Sequence, residues 1–270
     1  MPITLDVKPM PALISALRTQ RARLVPAQGD GYYRSRLEGH LPLTISLDGS
    51  VIGYALLERH LPGRIGVVEF YIRAGCGRYL TPAWEAVCAE VEPDYLLVRT
   101  DDPIVMLLAY DLRLPLKPDA LYMEREAMVR LPGRPGLELQ PLTADTFEEA
   151  YAILAPEDPW VGGHTEEDRE PMQQSIGTFR YNTLLLDGKV VGVGMLKEEE
   201  EGLLDIGMVI HQAYRRQGLA SYLLANLSSD MEAQGYRVMA GLAARNIGSR
   251  KSLEKAGFRV VYGWWTPDLR

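Results

Sequence analysis

The sequence predicts a mixed α/β protein built from a duplicated domain, and three observations carry this reading. The segments ISLDGSVIGYALLE (Ile45 to Glu58) and LLLDGKVVGVGMLK (Leu184 to Lys197) agree at six of fourteen positions, at a constant offset of 139. After each copy the same order of strands and helices recurs. Between the copies, RLPGRPGLELQPL (Arg130 to Leu142) breaks the periodic segments with prolines and glycines, the composition of a seam.

Each copy reads as an apolar strand, an Asp-Gly turn (Asp48-Gly49, Asp187-Gly188) and a second strand. Asp-Gly between apolar runs is the strongest short hairpin signal. The first copy continues with a strand GVVEFYI, a loop RAGCGRY, a helix TPAWEAVCAEV, a strand DYLLVRT and a helix DPIVMLLAYDL. The second continues with a strand LLDIGMVI, a loop HQAYRRQ, a helix from Gly218 to Gln234, a strand YRVMAGLA and a helix NIGSRKSLEKA. A period this long means a duplicated domain rather than a solenoid, with domains at 1–133 and 134–270. Ahead of the second hairpin, TADTFEEAYAIL reads as a helix capped by Thr143 or Asp145. APEDPWVGGHTEEDREPMQQ comes next as a loop and short helix, and the aromatic-rich RVVYGWW suits a final strand.

Composition narrows the class. With 47% hydrophobic and 24% charged residues, the chain is that of a soluble globular protein. No apolar run nears the ~18 residues of a membrane span. The opening MPITLDVKPM lacks the basic and apolar parts of a signal peptide, so a cytoplasmic location is expected. Cys76 and Cys88, the only cysteines, are too few for a disulfide framework or a zinc site, and the four scattered histidines suggest no metal. Residues 1–135 hold 16 basic and 16 acidic side chains, whereas 136–270 hold 13 and 20. That excess argues against a nucleic-acid partner and favours a cationic one, although a merely solvated surface gives the same count.

The most informative stretch is MVIHQAYRRQGLASYLLANL, Met208 to Leu227. It delivers the chain from a strand to a helix whose Leu219, Leu223, Leu227 and Met231 recur every four residues, ended by Gly235. A helix start offers unpaired N–H groups and a positive dipole end to an anion, and glycine lets backbone approach closely. Arg215 and Arg216 add full charges there. The anion is read as a phosphate group, yet no Gly-Lys-Ser/Thr of a nucleotide P-loop is present, and GKVVGVG lies in a hairpin rather than opening a helix.

Here the sequence resembles the GNAT superfamily of N-acetyltransferases. Arg215, Gly218 and Ala220 match its Arg/Gln-x-x-Gly-x-Gly/Ala signature, after the strand GMVI at the family's spacing. NIGSRKSLEKAGF (Asn246 to Phe258) is similar to the family's next segment, an Asn opening a helix that ends in Gly-Phe. The resemblance covers about residues 136 to 270. It implies two tandem GNAT-like domains, each a mixed, mostly antiparallel sheet flanked by helices. It also implies acetyl-CoA as donor and no metal. By similarity the backbone of Arg216, Gln217, Gly218, Leu219 and Ala220, with Arg215, cradles the diphosphate. The strand end Met208, Val209 and Ile210 pairs with the pantetheine arm and holds the thioester carbonyl, and Asn246 lies beside that arm. An ordinary N-cap is the competing role for Asn246.

Amine acetylation needs a neutral nitrogen, donors for the oxyanion and a proton for the leaving thiolate. Many family members place a Tyr seven residues after the Asn as acid; this chain has Leu253. Ser249 is the first alternative, ahead of Ser252, Tyr262 or water, and its other role is a small residue that admits the cofactor. Asp205, on the strand leading to the cofactor, is the candidate base through water, or else an exposed strand carboxylate. The acidic residues Glu157, Asp158, Glu166, Glu167, Asp168 and Glu170 fall where the family builds its acceptor wall, implying a cationic amine. A helix start capped by Thr165 explains the same run. His164 reads as a surface residue, Trp160, Trp264 and Trp265 as core or pocket wall, and Glu198 to Glu201 as a solvated turn.

The first half keeps the order of elements without the signature. RAGCGRYLTP has no Arg-x-x-Gly-x-Ala, and Asp101 and Asp102 stand where Asn246 stands in the second half. It is expected to be a degenerate GNAT-like copy that supports the active half or shapes its acceptor cleft, an arrangement similar to mycothiol synthase. Two functions are compatible with these features. One is an N-acetyltransferase acting on a small amine or a protein N-terminus, without nucleic acid or membrane; the other is a non-catalytic acyl-CoA-binding or sensing module. Neither reading fixes an oligomeric state.

Overall fold

A computed structural model describes residues 3–6, 11–25, 41–58, 63–157 and 163–269. The chain divides into two compact units, 1–121 with 262–270, and 122–261. The division falls ahead of the Pro/Gly-rich seam, and the last nine residues return to the first unit. Pairing, not composition, decides this: Trp264 and Trp265 pair with Arg99 and Val98, and Trp265 packs against the first unit's core.

The first unit orders its strands β1 (Ile3–Asp6), β2 (Leu41–Leu47), β3 (Ser50–Glu58), β4 (Gly66–Ile72) and β5 (Tyr95–Leu96) in one sheet. All neighbours are antiparallel except β4 and β5. Among the described residues its helices are α1 (Pro11–Ala22), α2 (Leu80–Val91) and α3 (Pro103–Asp111), with a short strand β6 (Val98–Arg99) before α3.

The second unit continues with β7 (Pro118–Arg125), β8 (Leu137–Pro141), α4 (Phe147–Leu154), α5 (Arg169–Gln174), β9 (Tyr181–Leu186), β10 (Lys189–Glu200), β11 (Leu203–Ile210), α6 (Leu219–Ala233), β12 (Arg237–Ala243), α7 (Ile247–Lys255) and β13 (Phe258–Trp265). Its strands lie in the order β13-β7-β12-β11-β10-β9-β8. No helix among the described residues is long and apolar enough to cross a membrane.

The repeat is visible in the backbone. Asp48 and Gly49 have φ of 50° and 76°, and Asp187 and Gly188 have 52° and 78°, the paired left-handed residues of a tight hairpin turn. Past each turn the register shifts by one residue. There a Cβ on Gly53 would lie 2.2 Å from the Tyr71 carbonyl oxygen, and one on Gly192 would lie 2.6 Å from Ile210. The shared glycines therefore let the third strand approach.

Two layers of helix cover the second sheet. On β11, Leu204, Ile206 and Ile210 pack with Leu219, Leu223, Leu227 and Met231 of α6, all buried. Each such side chain stabilises by about 2 kcal/mol. Val209 points the other way, into a core with Phe147, Ala150 and Leu154 of α4. Alternation puts Asp205 and Gly207 on that α4 face. Helix α6 ends through Gly235 (φ 92°), with the Tyr236 amide donating to the Met231 carbonyl at 3.1 Å, a Schellman closure. At α4 the N-cap position is Thr146, whose hydroxyl meets that of Thr143 at 3.0 Å; Asp145 is not the cap.

Candidate active site

Strands β11 and β12 run parallel but pair over three residues only, Leu203↔Arg237, Leu204↔Val238 and Asp205↔Met239. Beyond Asp205 they part, and two cavities of about 850 and 520 Å³ open there. Met208, Asn246 and Ser249 line both. The larger lies toward the start of α6, and the smaller contains Asp205.

The loop into α6 is shaped for an anion. φ is positive at Arg216 (62°) and at Gly218 (81°) but not at Gln217 between them, and such alternation gathers successive amides into an anion-binding concavity. Among the described residues no backbone acceptor meets the amides of Arg216, Gln217, Gly218, Leu219 or Ala220; the first to donate along α6's axis is Tyr222, to the Gly218 carbonyl at 3.0 Å. A Cβ on Gly218 would meet nothing within 4 Å. The space beside it belongs to the larger cavity.

Met208, Val209, Ile210, Arg215, Arg216, Gly218, Leu219, Ala220 and Asn246 all line the larger cavity. Gln217 does not; its side chain accepts from Arg134 at 3.3 Å. Arg215 faces inward differently from a phosphate clamp: its Nε donates to the Ile210 carbonyl at 2.9 Å, and an Nη is bound to Glu157. It ties the loop to the strand end. The cations facing the larger cavity without an ion pair among the described residues are Arg216, Lys251 and Lys255. The two lysines, four apart on α7, were legible as one helical face of SRKSLEKA.

Asn246 is the N-cap of α7, its side chain accepting from the Ser249 amide at 3.1 Å. The cap role is real, and the same residue faces both cavities. Ser249 is half-buried beside it. Ser252 instead turns its hydroxyl to the Gly248 carbonyl, at 3.0 Å. Leu253 is buried and lines the smaller cavity. Tyr262 does not reach in: it is buried in the first unit, 4.0 Å beneath the Arg99 guanidinium and edge-on to Trp264. Its ring is committed to a core cluster.

Part of the acidic segment is engaged elsewhere. Thr165 and Asp168 form a capping box, and their hydrogen bonds hold the Asp168 carboxyl below its usual range. Glu166 accepts from the Tyr151 hydroxyl at 3.1 Å, and Glu157 holds Arg215. None of Glu166, Glu167, Asp168 and Glu170 lines the smaller cavity; Asp158 and Trp160 lie outside the described residues. The carboxylates that line it are Asp205 and Glu198, opposite Arg180 and Lys197. Glu198 belongs to the end of β10, so the acidic run is strand before it is turn. His164 is no plain surface residue, because its Nε2 meets the Tyr181 hydroxyl at 2.8 Å. Burial, then the Asp168 charge, pushes Tyr181 above its ordinary range.

A parallel pair that splays beside a helix start bearing open amides makes a cleft suited to an anionic ligand. Residues 147–258, within the second unit, match the model of the Acetyltransferase (GNAT) family. In fold the whole chain is similar to a GNAT acetyltransferase from Colwellia psychrerythraea (TM-score 0.72, 14% identity, 99% of this chain and 100% of the other). It is also similar to a GCN5-related N-acetyltransferase from Sphaerobacter thermophilus (TM-score 0.65, 17% identity, 99% and 96%). A tandem GNAT protein of the clavulanic acid biosynthesis pathway matches over 99% of this chain and 98% of its own (TM-score 0.58, 16% identity). No curated protein sequence matches the chain.

Proposed function

We propose that the second unit transfers the acetyl group of acetyl-CoA to a primary amine, in the cytoplasm, by direct attack of the amine on the thioester. The observation that carries this is the set of open amides from Arg216 to Ala220, at the head of a cavity joined through Met208, Asn246 and Ser249 to one holding Asp205. Those amides suit the diphosphate of CoA. Arg216, Lys251 and Lys255 add charge for its phosphates, while Arg215 shapes the loop. The edge of β11 beyond Asp205, unpaired toward β12, suits the amide-bearing pantetheine arm.

In this reading Asp205 takes a proton from the acceptor ammonium through water. The neutral nitrogen bonds to the thioester carbon, the C–S bond breaks, the thiolate takes a proton from Ser249 or water, and the proton that the nitrogen sheds on becoming an amide returns to that donor. Holding both reactants in joined cavities supplies proximity.

Calorimetric titration with acetyl-CoA and CoA, followed by a thiol-release assay over a panel of amines, tests the proposal. Binding with turnover on an amine is expected. Binding without turnover would favour an acyl-CoA-binding module, the reading that buried Leu253 supports at the usual Tyr position. No CoA binding would remove both.

A further inference from the structure

We propose that the acceptor carries a carboxylate as well as its amine, an amino acid in chemical class, and that Arg180 recognises the carboxylate. This rests on the smaller cavity being the acceptor side of the proposed acetyltransferase. At about 520 Å³ it is the size of a small-molecule site. Its charged lining has both signs: Asp205 and Glu198 against Arg180 and Lys197.

The two cations differ. Lys197 is held by Glu199 at 2.7 Å. Among the described residues the Arg180 guanidinium makes no hydrogen bond or ion pair, although its backbone is fixed at both ends: its amide donates to the Thr178 hydroxyl at 3.2 Å and its carbonyl accepts from the Leu196 amide at 2.8 Å. Leu196 in turn pairs with Ile206, the neighbour of Asp205. Arg180 therefore stands two strands from the candidate base, roughly 10 Å at ordinary sheet spacing. Both residues line the smaller cavity, and a short molecule with an ammonium at one end and a carboxylate at the other would span that separation.

Electrostatics favour that occupant over a polycation. A diamine would set a second positive charge against Arg180, whereas a carboxylate gives it a bidentate partner. Of the acidic segment that would have welcomed a polycation, Asp168 is held in the Thr165 cap and Glu157 in the Arg215 pair, and none of Glu166, Glu167, Asp168 and Glu170 lines this cavity.

The test uses the full chain with CoA or acetyl-CoA and matched pairs: lysine against cadaverine, phenylalanine against phenethylamine, and a short peptide amide. Calorimetry on the CoA-loaded protein and thiol release with acetyl-CoA are read for each. Amino acids should show a Kd or KM at least tenfold below their decarboxylated partners. Arg180→Gln should bring that ratio to about one by raising the amino-acid KM, and Arg180→Lys should restore part of it. Amines that do as well as amino acids, a ratio unmoved by Arg180→Gln, or preference for the peptide amide as for a protein N-terminus would each overturn the inference. The first and last of those outcomes, with turnover, leave the acetyltransferase reading standing. Arg180-dependent binding of amino acids with no acetylation would keep Arg180 as a carboxylate site but overturn the inference that the amino acid is an acceptor, together with the acetyltransferase reading.

Discussion

In the first unit Arg21 Nε donates to Asp102 Oδ2 at 2.9 Å, and the same guanidinium lies 3.3 Å from Glu69. Asp102 caps α3 through the amides of Ile104 and Val105, which is the position Asn246 takes on α7 in the second unit. One N-cap is locked by a buried cation from α1; the other faces two cavities. In the first unit the helix start that corresponds to the Asn246 cap is thus held by buried charges.

That lock has two measurable consequences. Titration should give one CoA per chain, and a stoichiometry of two would show a working first site. Arg21→Ala leaves Glu69 and Asp102 buried with one charge partner fewer, and should lower stability by about 3 to 5 kcal/mol in urea unfolding.

At Gly218 the backbone rather than space sets the constraint. A Cβ there has room but must adopt φ of 81°, a conformation costing about 1 kcal/mol for a non-glycine residue. Gly218→Ala should lose about that much stability and weaken CoA binding modestly. Gly218→Glu adds bulk and a negative charge to the amide cluster, and should abolish CoA binding at similar stability. Unaltered affinity in calorimetry would refute the site assignment.

Much of this was legible in the sequence because local chemistry and tertiary demand agreed. The Asp-Gly turns, the Gly53 and Gly192 approaches and the four-residue apolar row of α6 are each set by a few neighbours. Charges were harder to read. Arg215 carries the signature, yet its guanidinium bonds to a strand carbonyl and to Glu157, 58 residues earlier. The acidic run looked like a binding wall, but capping is a local use of the same residues that sequence alone weighs equally. Trp264 and Trp265 join the first unit because of a pairing with Val98 and Arg99 that no periodicity announces.

The candidate base and acid separate by their kinetics. Removal of a general base typically slows a reaction by about 10²- to 10⁴-fold, so Asp205→Asn should lower kcat by about a hundredfold and change the shape of rate against pH. Ser249→Ala should lower kcat by less than tenfold, because water reaches the same place. A rate and pH profile unaltered by Asp205→Asn would remove it from the chemistry.

Tyr54 makes the first unit sensitive to alkali. Its hydroxyl donates to Glu69 at 2.7 Å beneath α1, and burial, only partly offset by Arg21 and Arg18, pushes its pKa up to about 12; Asp102 and Tyr71 act in the same direction as burial. In the unfolded chain a tyrosine titrates near 10. The folded state therefore binds the proton more tightly, so the stabilisation is complete below pH 10 and is lost as pH rises from about 10 through about 12. A difference of that size corresponds to about 3 kcal/mol over the window. Absorbance at an alkaline tyrosinate band should show late-titrating tyrosines, since Tyr71, Tyr151 and Tyr181 are also raised, and Tyr54→Phe should remove one of them and flatten the fall of stability with pH. An equally steep fall in the phenylalanine variant would assign the effect to another group.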